Sequence, residues 1–343
     1  MKLAIHSGSS GFHPRWAEYC RQNNIAFKLV DCYASDIIHQ IQDCDALMWH
    51  HSQGNPKDIL IAKQILYALE HSGFRVFPDF RTAWHFDDKV AQKYLLEALG
   101  APIVPSYVFV EKKTALAWAE ETHFPKVFKL RGGAGSSNVR LARNRSEAFR
   151  LIKKAFGSGF SNYNALGNLM ERWRKWRFGK TTITDVAKGI IRLGYKPPFA
   201  KIGGRERGYV YFQDFIPGND SDIRVVVIGE RAFALKRMVR QGDFRASGSG
   251  EIQYERDLFD LATVALSFKI TKDMAAQCVA FDYVYTSEAK PLLVEISYGF
   301  APGAYDTCPG YWDSELRWHN DKFNPQGWMV DLLLRAVNED KRD

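Results

Sequence analysis

With 343 residues, 46% hydrophobic and 25% charged, the chain is long enough for two or three packed domains and unlike a disordered or fibrous protein. No apolar run approaches the ~20 residues of a membrane span, and the start, Met1-Lys-Leu-Ala-Ile-His-Ser, turns polar too soon for a signal peptide. The net charge of +8 is localised: from Glu171 to Arg207 eleven Lys or Arg stand against three Asp or Glu, which is the whole surplus. Such a segment is expected to meet a specific anionic surface or ligand, in an otherwise neutral protein. Five cysteines, Cys20, Cys32, Cys44, Cys278 and Cys308, are scattered without metal-ligand spacing, so a reduced, cytoplasmic setting is expected.

Over the first eighty residues short apolar strands, expected at 2–6, 27–31, 46–50 and 75–78, alternate with helices at 14–23, 35–42 and 57–71. This rhythm implies a small parallel sheet with helices on both faces, whose ligands gather at the carboxyl ends of the strands. Two polar clusters fall at such ends, His6-Ser7-Gly8-Ser9-Ser10 and His50-His51-Ser52. Both are equally consistent with loop chemistry and helix capping, and no third residue makes the paired histidines a metal site. A helix is expected at 88–99, capped by Asp87 and closed by Gly100 and Pro102. Lys89 in its first turn is out of place, because a cation is disfavoured there unless an anion docks beside it or Asp87 and Asp88 neutralise it.

From 102 to 156 the pattern reads strand, helix, strand, glycine-rich loop, strand, helix. The loop follows an expected strand at 126–130 and is nearly free of side chains. Glycine permits close approach, so Gly132, Gly133 and Gly135, with Ser136 and Ser137, suit backbone N–H groups laid against phosphate oxygens. Lys129 stands where a cation on the strand would reach the same phosphates. A plain turn between two strands would look similar, and the loop gains meaning from what lies downstream. After the basic segment, strands are expected near 209–216, 222–228 and 231–239, a helix near 257–268, strands at 278–285 and 291–297, a loop to about 324 and a closing helix at 326–337.

Two of these late strands each carry one carboxylate, Asp282 in Cys-Val-Ala-Phe-Asp-Tyr-Val-Tyr and Glu295 in Leu-Leu-Val-Glu-Ile-Ser. A charge in a buried strand costs several kcal/mol unless paired or metal-bound. The hairpin at 286–290 would bring the two acids together, and Ser297 would share their face. An oxygen cluster of this kind suits Mg²⁺ with phosphate and water as further ligands, and salt bridges to nearby arginines would also satisfy the acids.

Taken in order, these motifs resemble an ATP-grasp enzyme, of the branch containing ribosomal-protein glutamate ligase, glutathione synthetase and D-alanine–D-alanine ligase. The resemblance covers roughly 80–155 and 208–300. It implies an α/β and α+β chain: an N-terminal Rossmann-like (pre-ATP-grasp) domain at 1–85, a first ATP-grasp subdomain with the flap at 86–156, a basic helical insert at 157–207, and a second subdomain with the metal site at 208–343. ATP and Mg²⁺ are the implied cofactors. Lys89 and Lys129 are implied to contact phosphates under the loop 131–137, while Gln213, Asp214 and Phe215 flank the adenine and Asp222 holds the ribose. Arg224, Arg237 and Arg245 would face the reacting phosphoryl group and substrate, and Asp282, Glu295 and Ser297 the metal. The family commonly has Asn where Ser297 stands, which puts a second metal ion in doubt.

Family members turn a carboxylate into an acyl phosphate that an amine or thiol attacks, so a carboxylate–amine ligase is the expected activity. The alternatives are a kinase acting on a hydroxyl or carboxylate, and a non-catalytic nucleotide-responsive binding protein. Tyr298, Tyr305, Tyr311, Trp312, Trp318 and His319 follow the metal strand and suit either a sugar face or packing under a long loop. In the insert, Trp173 and Trp176 interleave with Arg172, Arg174, Lys175 and Arg177, as in an interfacial helix on an anionic membrane. A polyanion such as an acidic glycan would also suit it, nucleic acid less so, and an ordinary solvated helix has the same composition. A uronic-acid carboxylate on a cell-surface glycan precursor, or an amino acid or peptide, is the expected substrate. The expected place is the cytoplasm, including the inner face of the membrane.

Overall fold

The computed structural model describes residues 1–132, 138–161, 169–170, 172–173, 176–177, 182–194, 204–239 and 251–342. Packing divides the chain into two units. The first comprises Met1–Phe86, Tyr94–Ile103 and Gly218–Asp343, the second Asp87–Lys93 and Val104–Pro217.

The first unit opens with β1 (Lys2–His6), α1 (His13–Gln22), β2 (Ala26–Val30), α2 (Ile37–Gln40), β3 (Ala46–Met48), α3 (Pro56–His71), β4 (Arg75–Phe77) and α4 (Phe80–Ala83). The strands pair in parallel in the order β2-β1-β3-β4. Alternation along β1 sends Leu3 and Ile5 to one face and Ala4 to the other, and both faces are buried, as a parallel sheet requires. Ala4, Leu47 and Val76 meet Ala62 and Leu66 of α3.

α5 (Lys89–Ala98) starts one residue later than the sequence suggests. Asp88, not Asp87, is its cap, accepting from the Val90 and Ala91 amides at 3.1 and 3.0 Å. Asp87 itself takes a left-handed φ of 57°, which removes it from the capping position.

The second unit holds β5 (Ser106–Phe109), α6 (Lys112–Glu121), β6 (Lys126–Lys129), β7 (Val139–Ala142), α7 (Arg145–Ala155), β8 (Phe160–Ser161), α8 (Ile183–Gly194), β9 (Arg205–Glu206) and β10 (Val210–Asp214). Its main sheet is antiparallel in the order β5-β10-β6-β7. β10 therefore lies between β5 and β6, and the second unit runs on to Pro217. Long-range pairing decides this, and sequence distance hides it. One face of the sheet, with Phe128, Val210 and Phe212, packs on Ala115 and Ala119 of α6 and Ala148 and Ile152 of α7.

The rest of the first unit is β11 (Ser221–Ile228), β12 (Arg231–Met238), β13 (Ile252–Gln253), α9 (Leu261–Met274), β14 (Cys278–Tyr285), β15 (Pro291–Ser297), β16 (Tyr311–Asp313), β17 (Trp318–His319) and α10 (Pro325–Asp340). Among the described residues these strands form one antiparallel sheet, β15-β14-β11-β12-β16-β17, with β13 on β12. The helix expected at 257–268 begins at Leu261, because Asp260 caps it, and runs on to Met274 because its apolar face continues through Ile270. The expected loop before α10 contains the hairpin β16–β17. One face of the sheet packs on α9 through Val225, Val227 and Phe281. The other carries Val226, Ile228, Phe233 and Cys278 into a core shared with Leu3, Ile5, Trp16 of α1 and Met329 of α10.

Candidate functional site

The candidate residues form two clusters, one in each unit. In the second unit, register sets Lys129 opposite Tyr211, and Gln213 opposite both Val127 and Ser106. Alternation brings Lys129, Tyr211, Gln213 and Ser106 to the sheet face away from α6 and α7. Lys129 Nζ donates to Gln213 Oε1 at 2.6 Å, and Gln213 Nε2 donates to Ser106 Oγ at 3.1 Å. The Tyr211 hydroxyl donates to the same Oγ at 2.9 Å, and Ser106 donates to the Val104 carbonyl at 2.7 Å. Lys129 is 4% exposed. Lys89 is also buried, and its backbone N–H donates to the Arg131 carbonyl at 3.0 Å, which ties the helix start to the beginning of the glycine-rich loop. A Cβ on Gly132 would stand 3.3 Å from Asp87 Oδ2, so that backbone passes close to the turn before α5.

The side chains of Gln213 and Asp214 point to opposite faces of β10: Asp214 receives Lys126 Nζ at 2.5 Å, beside the ring of Tyr107, and Phe215 is half-buried just past the strand. Gly133, Gly135, Ser136, Ser137 and Arg245 lie outside the described residues.

The first unit holds the acids. Register places Arg224 opposite Asp282, Asp222 opposite Arg237, and Asp282 opposite Glu295. All of them lie on the face that carries Val226 and Phe233 toward the core, so the face runs from apolar to ionic along the strands. Arg224 donates to both Asp282 oxygens at 2.5 and 2.6 Å, and Arg237 to both Asp222 oxygens at 2.6 and 2.7 Å. The Arg237 Nη2 that donates to Asp222 also lies 2.9 Å from Asp282 Oδ1, linking the pairs.

Burial works against ionisation of Asp282, but Arg224 and Arg237 outweigh it and hold this carboxyl below the usual range. At Asp222 burial dominates and, helped by the charge of Asp282, pushes the carboxyl up against the pull of Arg237. Arg224 is partly buried, which works against its charge, yet it is more firmly protonated than usual because Asp282 lies against it. Tyr305, which sequence reading placed only in an aromatic run, lies beside this cluster. Burial pushes its phenol up to about 12, with Arg224 acting the other way.

Arg224 and Arg237 are anchored on acids, and the repulsion between the two late carboxylates is relieved at Asp282 by guanidinium. Ser297 donates to the Gly299 carbonyl at 2.8 Å and accepts its amide at 3.1 Å, so its hydroxyl is already used to close a turn. Among the described residues no three or more His, Cys, Asp or Glu are grouped to hold a metal. Asp282 and Glu295, directly opposed, still fit Mg²⁺, because a carboxylate oxygen holding a guanidinium keeps lone-pair capacity and this ion takes most of its ligands from water and phosphate.

The aromatic run is mostly packing: Trp312 lies in the core with Phe259, Tyr298 is buried, and Tyr311 stacks on His319. His6 and His50, at the carboxyl ends of β1 and β3, hold loop backbone. The Phe12 amide donates to His50 Nδ1 at 3.1 Å, the His50 amide to His13 Nε2 at 2.9 Å, and the Cys32 amide to His6 Nδ1 at 3.2 Å. Each accepts a backbone N–H and is therefore neutral. His13, inside an amphipathic pattern, gave no sequence signal of this.

Residues 204–301 match the RimK-like ATP-grasp domain, and residues 88–191 the ATP-binding domain of the carbamoyl-phosphate synthase L chain. Over 200 residues the chain is 32% identical to the biotin carboxylase of Pseudomonas aeruginosa, a match covering 56% of this chain and 42% of that protein. The chain thus spans less than half the length of this curated relative. The RimK-domain ATP-grasp protein of Sphaerobacter thermophilus superposes with a TM-score of 0.56 at 16% identity, over 97% of this chain and all of that one. The D-alanine–D-alanine ligase of Bacillus anthracis, solved with ATP, gives 0.57 at 12% identity over 99% of each chain. Residues 204–301 are thus a RimK-like ATP-grasp domain by their match, and ATP-grasp ligases use ATP and Mg²⁺. No described helix is long and apolar enough to cross a membrane.

Proposed function

We propose that the chain is an ATP-dependent carboxylate–amine ligase. The substrate carboxylate attacks the γ-phosphorus of ATP, the bond to the β-phosphate oxygen breaks, and ADP leaves. The amine then attacks the acyl phosphate, the C–O bond to phosphate breaks, a proton leaves the nitrogen, and an amide and phosphate remain.

The observation that carries this reading is the convergence of Arg224 and Arg237 on Asp282, directly opposite Glu295. A carboxylate approaching a triphosphate brings two anions together, and fixed cations offset that repulsion. Mg²⁺, when held by Asp282 and Glu295, would neutralise phosphate charge. Lys89 and Lys129 are assigned to the phosphate oxygens, and the glycine-rich sequence with Gly132, Gly133, Gly135, Ser136 and Ser137 to phosphate binding and to keeping water from the acyl phosphate. Arg245 serves the substrate, Asp222 the ribose through its remaining lone pairs, and the segment Gln213–Asp214–Phe215 the adenine through its backbone.

For the carboxylate we favour an amino acid, a peptide or a uronic-acid-bearing glycan precursor. The test is an ADP-release screen that crosses pooled carboxylic acids, uronic-acid sugars included, with pooled amines. Amine-dependent release supports the ligase, and a stable phosphorylated product formed without amine rejects it in favour of a kinase. The binding-protein alternative draws on Ser297, whose hydroxyl closes a turn where the family commonly has Asn. ATP binding without turnover in any pool would favour that alternative.

A further inference from the structure

The basic segment carries a surface that the nucleotide chemistry does not use. In α8, Val186 and Gly189 are buried, and a Cβ on Gly189 would stand 3.0 Å from both Leu169 and Arg172. Arg172 also donates to the Asp185 carbonyl at 3.1 Å. That side of α8 thus packs on the stretch near 169–173. Its other side is apolar too: Ile183, Ile190 and Ile191 are 55%, 57% and 70% exposed, and the spacing 183, 190, 191 places them on one face of a helix. The facing stretch adds Met170 at 72% exposure and Trp173 at 52%, with Trp176 5.1 Å from Trp173 between ring centroids.

A helix whose second face is isoleucine and open to solvent has a partner surface to bury. The charge of the surrounding sequence specifies which. Residues 171–207 hold the entire net charge of +8, and Lys188 stands exposed on the same helix. We propose that this face lies on an anionic lipid surface, with the isoleucines and Met170 among the acyl chains, the tryptophans at headgroup depth and the cations on the headgroups. Isoleucine and methionine have no ring on which a base or sugar could stack, so nucleic acid and glycan match the charge but leave the apolar face uncovered. With 12 residues, α8 is far too short to span a bilayer, so it lies in the interface.

The test is co-sedimentation of the full chain with phosphatidylcholine vesicles, with and without phosphatidylglycerol, at low and high salt. Binding is expected only with phosphatidylglycerol and is expected to fall as salt rises. Ile190→Glu and Ile191→Glu should each weaken it about tenfold, since each removes one inserted side chain. Circular dichroism and Mg²⁺–ATP binding of both variants should match the parent, which separates lost docking from lost folding. Equal binding to both vesicles, no binding to either, or full binding by the Ile190→Glu/Ile191→Glu double variant would overturn the proposal. A dimer in sedimentation velocity that the double variant dissociates would also overturn it, since the face would then belong to a second copy. None of these readouts requires turnover, so the result stands apart from the ligase reading.

Discussion

Replacing Asp282 with Asn should destabilise the first unit by far more than a surface substitution. The carboxylate accepts bonds of 2.5 and 2.6 Å from Arg224 and one of 2.9 Å from Arg237, and all three groups are largely buried. Asn keeps the shape but removes the charge, leaving two buried guanidinium groups to share Asp222. Breaking a buried pair in this way costs about 3–5 kcal/mol, because the remaining charge is no longer compensated. At roughly 2–4 °C per kcal/mol for a unit of this size, the transition should fall by about 6–20 °C. Calorimetry on the parent, Asp282→Asn, Arg224→Met and the double variant gives both the loss and the coupling. The double variant should recover part of the loss, since it removes one of the stranded cations. A loss below about 1 kcal/mol for Asp282→Asn would refute the view that this carboxylate neutralises the arginines.

Other outcomes test separate parts of the account. Lys129→Met should weaken Mg²⁺–ATP binding by at least about tenfold in titration calorimetry, since the buried ammonium proposed to hold phosphate is lost; unchanged affinity would remove Lys129 from the nucleotide site. Acid should unfold the first unit through its histidines. Burial pulls His13 down to about 4, with the Ser10 carbonyl opposing, and His50 and His51 down to about 3, with His13 and Lys63 respectively adding to the effect. These values lie below the ordinary 6.5, so the unfolded chain takes up protons first. Stability is therefore complete above pH 6.5 and declines by roughly 1.4 kcal/mol per pH unit per histidine as pH falls toward 4. A denaturant midpoint that stays flat from pH 7 to pH 4.5 would contradict this.

The βα rhythm of the first eighty residues and the strands bearing Asp282 and Glu295 were legible because period-two burial, and a carboxylate in an apolar run, leave marks on a sequence. Arginines were among the readings for those acids, but which ones did not show. That Arg224 and Arg237 meet Asp282 follows from register across β12, β11 and β14, a long-range property no local pattern records. The place of β10 between β5 and β6 was hidden for the same reason. The hairpin β16–β17 was read as loop because its strands are short and turn on Asp313, which accepts from the Glu315 and Arg317 amides. In the basic segment the tryptophans drew notice, while the isoleucine face of α8 emerged only when its other side was seen to be packed.

The central claim, that Asp282 and Glu295 serve Mg²⁺–ATP in forming an acyl phosphate, is tested most directly by amine-dependent ADP release from the parent and from Glu295→Gln. The parent should release ADP only when carboxylate, amine and Mg²⁺ are all present, and Glu295→Gln should keep its circular dichroism spectrum and lose that release. Undiminished turnover by Glu295→Gln would contradict the account.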